Sequence, residues 1–247
     1  MFFRHVKARV SCLRKFAYTL LMDIGKELKQ TLIQFLELCK EFGVQPRLIG
    51  GLAVRGFSSR KRFTHDVDLA IRRGDKPNLI ALLKQMGFDY QDQSQFEGVK
   101  ASKRLGEVTV EFHISVEKLW DMSSDQTYTL SSQSAELPID DHGDLIAPTV
   151  SVEDLLILKL MPLRERDLCD VIALLLDAPR INGRLFWENC KRTENTSHIS
   201  SQLAKIETAL KSGNFREAWS DYYGDKLSMR DVLSAIEKVR LLLKAKS

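Results

Sequence analysis

Leu48-Ile49-Gly50-Gly51-Leu52-Ala53-Val54 and, after a short basic loop, Thr64-His65-Asp66-Val67-Asp68-Leu69-Ala70-Ile71 are the two stretches from which the rest of the chain is placed. From Gln45 to Leu52 a short apolar run through Leu48 and Ile49 predicts a buried strand. It breaks at Gly50-Gly51, and Leu52, Ala53 and Val54 begin a helix. In the second stretch strict alternation predicts a strand, with Val67, Leu69 and Ile71 on one face and Thr64, Asp66, Asp68 and Ala70 on the other. One face enters a core, while the other carries two carboxylates about 7 Å apart along the chain. Carboxylate oxygens are the ligands that hard divalent cations take. Backbone N–H groups left open at a glycine turn before a helix suit phosphate oxygens.

Upstream, Leu28, Leu32, Phe35, Leu36 and Cys39 recur at helical spacing and predict a helix over 23–42 with Gly43 as its stop. Downstream, Asp75 to Met86 reads as a short helix with Leu79, Leu82 and Leu83 on its buried stripe. Strands are expected around 88–90, 98–102 and 107–114. In the last, Val108, Val110, Phe112 and Ile114 alternate with Thr109, Glu111 and His113, which puts Glu111 on a polar face. The Ser-, Asp-, Gly- and Pro-rich stretch from Asp121 to Pro148 reads as an irregular connection with one strand at 136–139, and a domain boundary is expected there. Beyond it, Ser151 is a plausible N-cap for a helix over 152–161 that Pro162 ends, with Asp154 in its first turn. Further helices are expected over 167–176, 184–191, 198–211 and 228–244. The expected division is thus a basic extension over 1–21, a core over 22–147 and a helical subdomain over 148–247. The fold class is α+β, with a small mixed β-sheet flanked by helices and followed by the helical subdomain.

The formal charge of +4 is not evidence for a nucleic-acid partner, because Arg4, Lys7, Arg9, Arg14 and Lys15 fall in the first 21 residues with no acid among them. Without them the chain is close to neutral. That segment is either a basic arm or targeting peptide, or the product of a start assigned upstream of Met22. Cys12, Cys39, Cys169 and Cys190 form no CxxC pair and have no histidine at zinc-ligand spacing, so they are expected as reduced thiols of a cytoplasmic protein. No apolar run reaches the roughly 18 to 20 residues of a membrane span. No GxxxxGK[ST] or kinase signature is present.

Gly50-Gly51, Asp66-Val67-Asp68 and Glu111 together resemble the nucleotidyltransferase superfamily with its DNA polymerase beta-like fold. Leu48 to Ile71 is similar to the minimal and AbiEii-type branch. Arg62-Phe63-Thr64 resembles that branch's Arg-x-Thr lead-in, and Lys159 with Arg166-Asp167-Leu168-Cys169-Asp170 resembles the segment that follows its core. The resemblance implies transfer of a nucleoside monophosphate from a triphosphate such as ATP to an acceptor hydroxyl, with release of pyrophosphate. It implies Mg²⁺ (or Mn²⁺) on Asp66, Asp68 and Glu111, with Glu111 alternatively taking the hydroxyl proton. It implies a nucleotide held by Gly50, Gly51, Arg55, Arg62, Thr64, Lys159 and Asp167. The acceptor is open between transfer RNA, a protein and a small molecule, and the AbiEii likeness implies a toxin-type enzyme with an antitoxin-like protein partner. Simpler readings stand beside these: Lys159 as a snorkelling helix lysine, Arg166 and Asp170 as a surface ion pair, and His65 and His113 as packing or hydrogen-bonding residues. A catalytically silent nucleotide- or partner-binding scaffold, and an RNA-binding module built on the Arg55 to Arg62 loop, are the alternatives from other classes.

Overall fold

The computed structural model describes residues 25–93 and 98–246, so the expected extension over 1–21, the helix start at Asp23 and Cys12 lie outside the described residues. Helix α1 (Lys26–Phe42) buries Leu28, Leu32, Phe35 and Cys39 and ends on Gly43, whose φ of 67° is the left-handed turn expected of a helix stop. The strand foreseen over 45–52 is only two residues long, β1 (Arg47–Leu48), because helix α2 (Gly50–Phe57) begins at the first glycine itself. After the basic loop comes β2 (Asp66–Ile71), whose Val67, Leu69, Ala70 and Ile71 are buried. Helix α3 (Lys76–Gln85) then leads to β3 (Asp89–Gln93), β4 (Gly98–Leu105) and β5 (Val108–Val116).

The connection expected over 121–148 with a single strand at 136–139 is more regular than that: β6 (Lys118–Asp121) and β7 (Gln126–Thr129) come first, β8 (Ser134–Pro138) stands where the strand was expected, and β9 (Ile146–Val150) runs across its end. Seven strands form one mixed sheet in the order β3-β4-β5-β2-β1-β9-β8, and β6 and β7 make a separate hairpin. The 147/148 division therefore falls inside β9, which joins the sheet beside β1. The decisive pairing is parallel, β2 on β5, with Asp66 opposite Glu111 and Asp68 opposite His113. Because side chains alternate along each strand, that register puts all four polar groups on one face and Val67, Leu69, Phe112 and Ile114 on the other. On the apolar face the Phe35 ring of α1 meets the Phe112 ring edge-on, with centroids 4.9 Å apart.

Six helices follow: α4 (Val152–Leu160), α5 (Glu165–Asp177), α6 (Gly183–Cys190), α7 (Thr196–Ser212), α8 (Arg216–Tyr223) and α9 (Met229–Lys244). The expected N-cap at Ser151 is present, its Oγ accepting from Asp154 N at 3.1 Å. Helix α4 is buried along almost its whole length, its charged Glu153, Asp154 and Lys159 included, as a helix enclosed by other elements is. Asp154, fully buried, accepts from Ser131 Oγ at 2.6 Å, Asn189 Nδ2 at 3.1 Å and the Tyr128 hydroxyl, so its charge ties the β6–β7 region to the helices rather than serving only the helix end. Cys39, Cys169 and Cys190 are free thiols, and burial pushes each up to about 12.

Candidate active site

Gly50 sits where β1 turns into α2, at φ 69°, a conformation that glycine adopts without strain. A Cβ there would run into the carboxylate of Asp68, and one on Gly51 would run into Thr64 Oγ1. The two glycines thus let a helix N-terminus approach the carboxylates directly. Ile49 N donates to Asp68 O at 2.9 Å and fixes the approach. The eight-residue helix α2, whose first N–H groups have no partner inside the helix, thus begins beside Asp68, where the positive end of its dipole favours negative charge.

The tightest cluster on this face is Asp66, Asp68 and His113, with one ligand atom from each lying within 4.8 Å of the others. His113 Nδ1 is 3.5 Å from Asp68 Oδ1 and 3.7 Å from Asp66 Oδ2. Its hydrogen bond to Asp68, with further pull from Asp68 and Asp66, raises its pKa above the ordinary histidine value against burial and the Lys100 charge. Glu111 stands one step out: its Oε2 is 3.3 Å from Lys100 Nζ and 3.7 Å from His113 Nε2. The three expected carboxylates therefore share a face, but histidine, not glutamate, closes the tight group.

The cleft above them, of about 440 Å³, is lined by Gly50, Gly51, Thr64, Asp66, Asp68, His113, Trp120, Lys159, Arg164, Arg166 and Asp167 among others. A second hollow of about 280 Å³ shares Arg62, Thr64, Asp66 and Arg166 with it and adds Phe63, His65, Thr109 and Glu111. Trp120 and Arg164, which line the cleft, were not singled out in the sequence, and His113 was read there as a packing or hydrogen-bonding residue rather than a ligand. Only His113 had a usable signal, its place on the same alternating face as Glu111.

Several expected nucleotide ligands are occupied elsewhere. Arg55 is buried away from the cleft, donating through Nε to Ile139 O at 3.3 Å and through Nη1 to Arg62 O at 3.2 Å. Arg62 borders the cleft, yet its fork is committed: Nε and Nη2 donate to the two oxygens of Asp170 at 2.7 and 2.9 Å, and Nη1 to Thr64 Oγ1 at 3.2 Å. Burial works against the Arg62 charge, but the bond to Asp170 and the surrounding anions raise its pKa above the usual arginine value. Arg60 pairs with Asp177 and Lys61 with Asp141, so the loop is neutralised by its own fold rather than held open for an RNA backbone.

Asp170 does not form a surface pair with Arg166. It is fully buried and also takes Lys159 Nζ at 2.8 Å and the Tyr223 hydroxyl at 3.0 Å. Burial disfavours its charge, but Lys159 and Arg62 outweigh that and hold its carboxyl well below the usual carboxylate range. Lys159 is 6% exposed and does not snorkel: it lies between Asp170 and Asp167, whose oxygen is 3.3 Å away. Asp167 also accepts from Arg164 Nε at 2.7 Å and backbone N at 3.3 Å, capping α5. Arg164 and Arg166 are the exposed cations at the mouth.

No protein-family model matches the chain, and no curated protein matches it. Among solved structures it is similar to the lincosamide antibiotic adenylyltransferase LnuA in its lincomycin-bound form, at 16% identity and TM-score 0.44 over 62% of this chain and 97% of that one. It is similar to the antibiotic-resistance factor ANT(2'')-Ia at 12% identity and TM-score 0.43, over 78% and 98% of the two chains. The fuller superposition is on JHP933 from Helicobacter pylori, at TM-score 0.51 and 13% identity over 89% of this chain and 92% of that one. At that identity the likeness is one of fold: this chain shares an α+β architecture with JHP933 through its mixed sheet and its following helices.

Proposed function

We propose that the chain is a metal-dependent nucleotidyltransferase that moves a nucleoside monophosphate from a triphosphate to an acceptor hydroxyl. The observation that carries this is the contact between Gly50 and Asp68: a helix N-terminus is brought so close to a strand-borne carboxylate pair that no side chain fits between them. Phosphate-binding amides and cation ligands converge on one point, as transfer at a phosphorus atom needs.

The donor set fits a hard divalent cation, since Asp66 and Asp68 offer oxygens on the open face of the sheet and the cluster is only partly exposed. Asp66 and Asp68 would hold Mg²⁺ or Mn²⁺, with His113 beside them. Bound there, such an ion supplies Lewis-acid polarisation of the α-phosphate and offsets the charge of the phosphates. The amides of Gly50 and Gly51 bind phosphate oxygens, and Arg164 and Arg166 receive the outer phosphates at the mouth. Thr64 and Arg62 brace the turn. Lys159 and Asp167 set the charge of the wall behind it, and Arg55 acts only through the fold. Trp120, which lines the cleft, contacts the base.

Glu111 lies in the adjoining hollow with His65 and Phe63, which makes that hollow the acceptor side. The acceptor oxygen bonds to the α-phosphorus as the bond from that phosphorus to the pyrophosphate oxygen breaks, and Glu111 takes the hydroxyl proton. The choice among transfer RNA, protein and small molecule, and with it the AbiEii-type branch and an antitoxin-like partner, follows from what is labelled. Purified protein is incubated with each α-labelled triphosphate, Mg²⁺ or Mn²⁺, and pools of transfer RNA, cell protein and small hydroxylated acceptors. Metal-dependent label that disappears in Asp66→Ala/Asp68→Ala supports the transferase and names its acceptor. A folded, metal-loaded protein that transfers no label to any pool overturns it.

A further inference from the structure

A hollow of about 860 Å³, larger than the one above the carboxylates, lies elsewhere on the molecule. It opens at the other end of β2, beyond Ile71, where β1 begins and α1 ends. Five residues of strand separate it from Asp66, about 17 Å at the usual rise. Its lining is strongly cationic: Lys40, Arg47, Arg72 and Arg192 border it, with the exposed Ser132 and Ser134. Arg73 also lines it, but is bound to Glu117 at 2.9 Å. Glu136 is the one further acid of the lining. Lys40, Arg72 and Arg192 are exposed, and among the described residues no carboxylate forms an ion pair with any of them.

Arg47 is built into the floor. Its Nη1 donates to Ser131 O at 2.5 Å and to Gln133 O at 3.4 Å, which fixes the guanidinium at the lining of the hollow. Burial holds its pKa below the ordinary arginine value, and the Arg72 charge pushes the same way against the pull of Asp154. Like charges gathered in a partly desolvated hollow cost free energy that a bound anion recovers. The volume lies in the range of small-molecule sites. No aromatic side chain lines it, so it lacks the stacking platforms on which single-stranded nucleic acid depends. What it offers is point charge, guanidinium forks and hydroxyls, the groups that recognise phosphate.

We propose that this hollow is a second binding site, independent of the transferase reading, for a small ligand bearing two or more phosphates. Tripolyphosphate is the probe, titrated calorimetrically into the whole chain in EDTA so that metal-dependent binding at the carboxylate cleft is silent. Arg72→Ser and Arg192→Ser are the variants, both at exposed positions, and Arg47 is left intact because it holds backbone carbonyls. The expected result is saturable binding of one equivalent, retained in Asp66→Ala/Asp68→Ala and weakened about tenfold or more by each arginine substitution, as loss of a charge-assisted bond requires. Circular dichroism spectra of the variants should match the parent. The proposal is overturned if tripolyphosphate does not saturate the protein, if binding survives both substitutions unchanged, or if it is lost with the aspartates. It is equally overturned if transfer RNA binds through these arginines while tripolyphosphate neither binds nor competes.

Discussion

Replacing Asp170 by the isosteric Asn should cost the fold about 4 kcal/mol. The carboxylate is fully buried and accepts from Arg62 Nε at 2.7 Å, Arg62 Nη2 at 2.9 Å, Lys159 Nζ at 2.8 Å and the Tyr223 hydroxyl at 3.0 Å. Asparagine has one oxygen and one NH₂ in place of two oxygens, so at least one donor of the set would face another donor. It also removes the negative charge set against two buried cations. Loss of one partner from a buried pair costs about 3–5 kcal/mol, because the remaining charge is stranded. Asp167 still offers Lys159 an oxygen at 3.3 Å, which keeps the expectation inside that range. For a chain of this length about 4 kcal/mol corresponds to a fall of roughly 10 °C in Tm. Urea and thermal unfolding followed by circular dichroism measure it, with Arg62→Met and Arg62→Met/Asp170→Asn completing a cycle that isolates the pair. A loss under about 1 kcal/mol, the size of an exposed pair, would refute the reasoning, since it would mean that water reaches the cluster.

Other outcomes follow from single features. The Asp170 carboxyl is held below its unfolded value, so its contribution is complete above about pH 4 and is lost as pH falls toward the folded value; acid unfolding of the wild type should be steeper there than that of Asp170→Asn. Gly50→Ala places a Cβ against the Asp68 carboxylate at a positive φ, and should lower transfer about a hundredfold or more, as small misplacements of reacting groups do, with a modest fall in Tm. Arg166→Ser should raise the KM for the triphosphate about tenfold by removing one charge-assisted phosphate contact, whereas Arg55→Met should lower Tm. In a Cys12→Ser background, Cys39, Cys169 and Cys190 should resist a thiol reagent at pH 8 until urea unfolds the chain, because burial holds all three near 12.

What could be read in advance follows the range over which the determining contacts act. Helix α1 with its Gly43 stop, the alternation of β2 and β5, and the Ser151 cap are set by neighbours a few residues away, and each was legible. Strand β9 was not, because Pro148 in Ile146-Ala147-Pro148-Thr149-Val150 lacks a backbone donor and weakens the pattern. Its pairing with β1 comes from a segment about a hundred positions earlier. Helix α8 hides for another reason: Arg216 to Tyr223 is short and mixes charged with aromatic residues, so packing rather than periodicity makes it.

At the site the same division holds. Alternation placed Asp66 with Asp68 and Glu111 with His113, but only the parallel register of β2 on β5 brings the two pairs together. The partners of Arg55, Arg62 and Asp170 could not be read from the sequence because they are remote: Ile139 for Arg55, and Asp170 on α5 for Arg62. That last pair has a consequence for the chemistry. Arg62 also holds Thr64, which packs against Gly51, so α5 is tied by one buried charge to the turn that faces the carboxylates. On the proposed function, Asp170 stands outside the metal and nucleotide contacts yet is linked through Arg62 and Thr64 to the glycine turn. Asp170→Asn assayed at a temperature where it remains folded should then lose transfer as well as stability, and a variant that is less stable but fully active would separate the two.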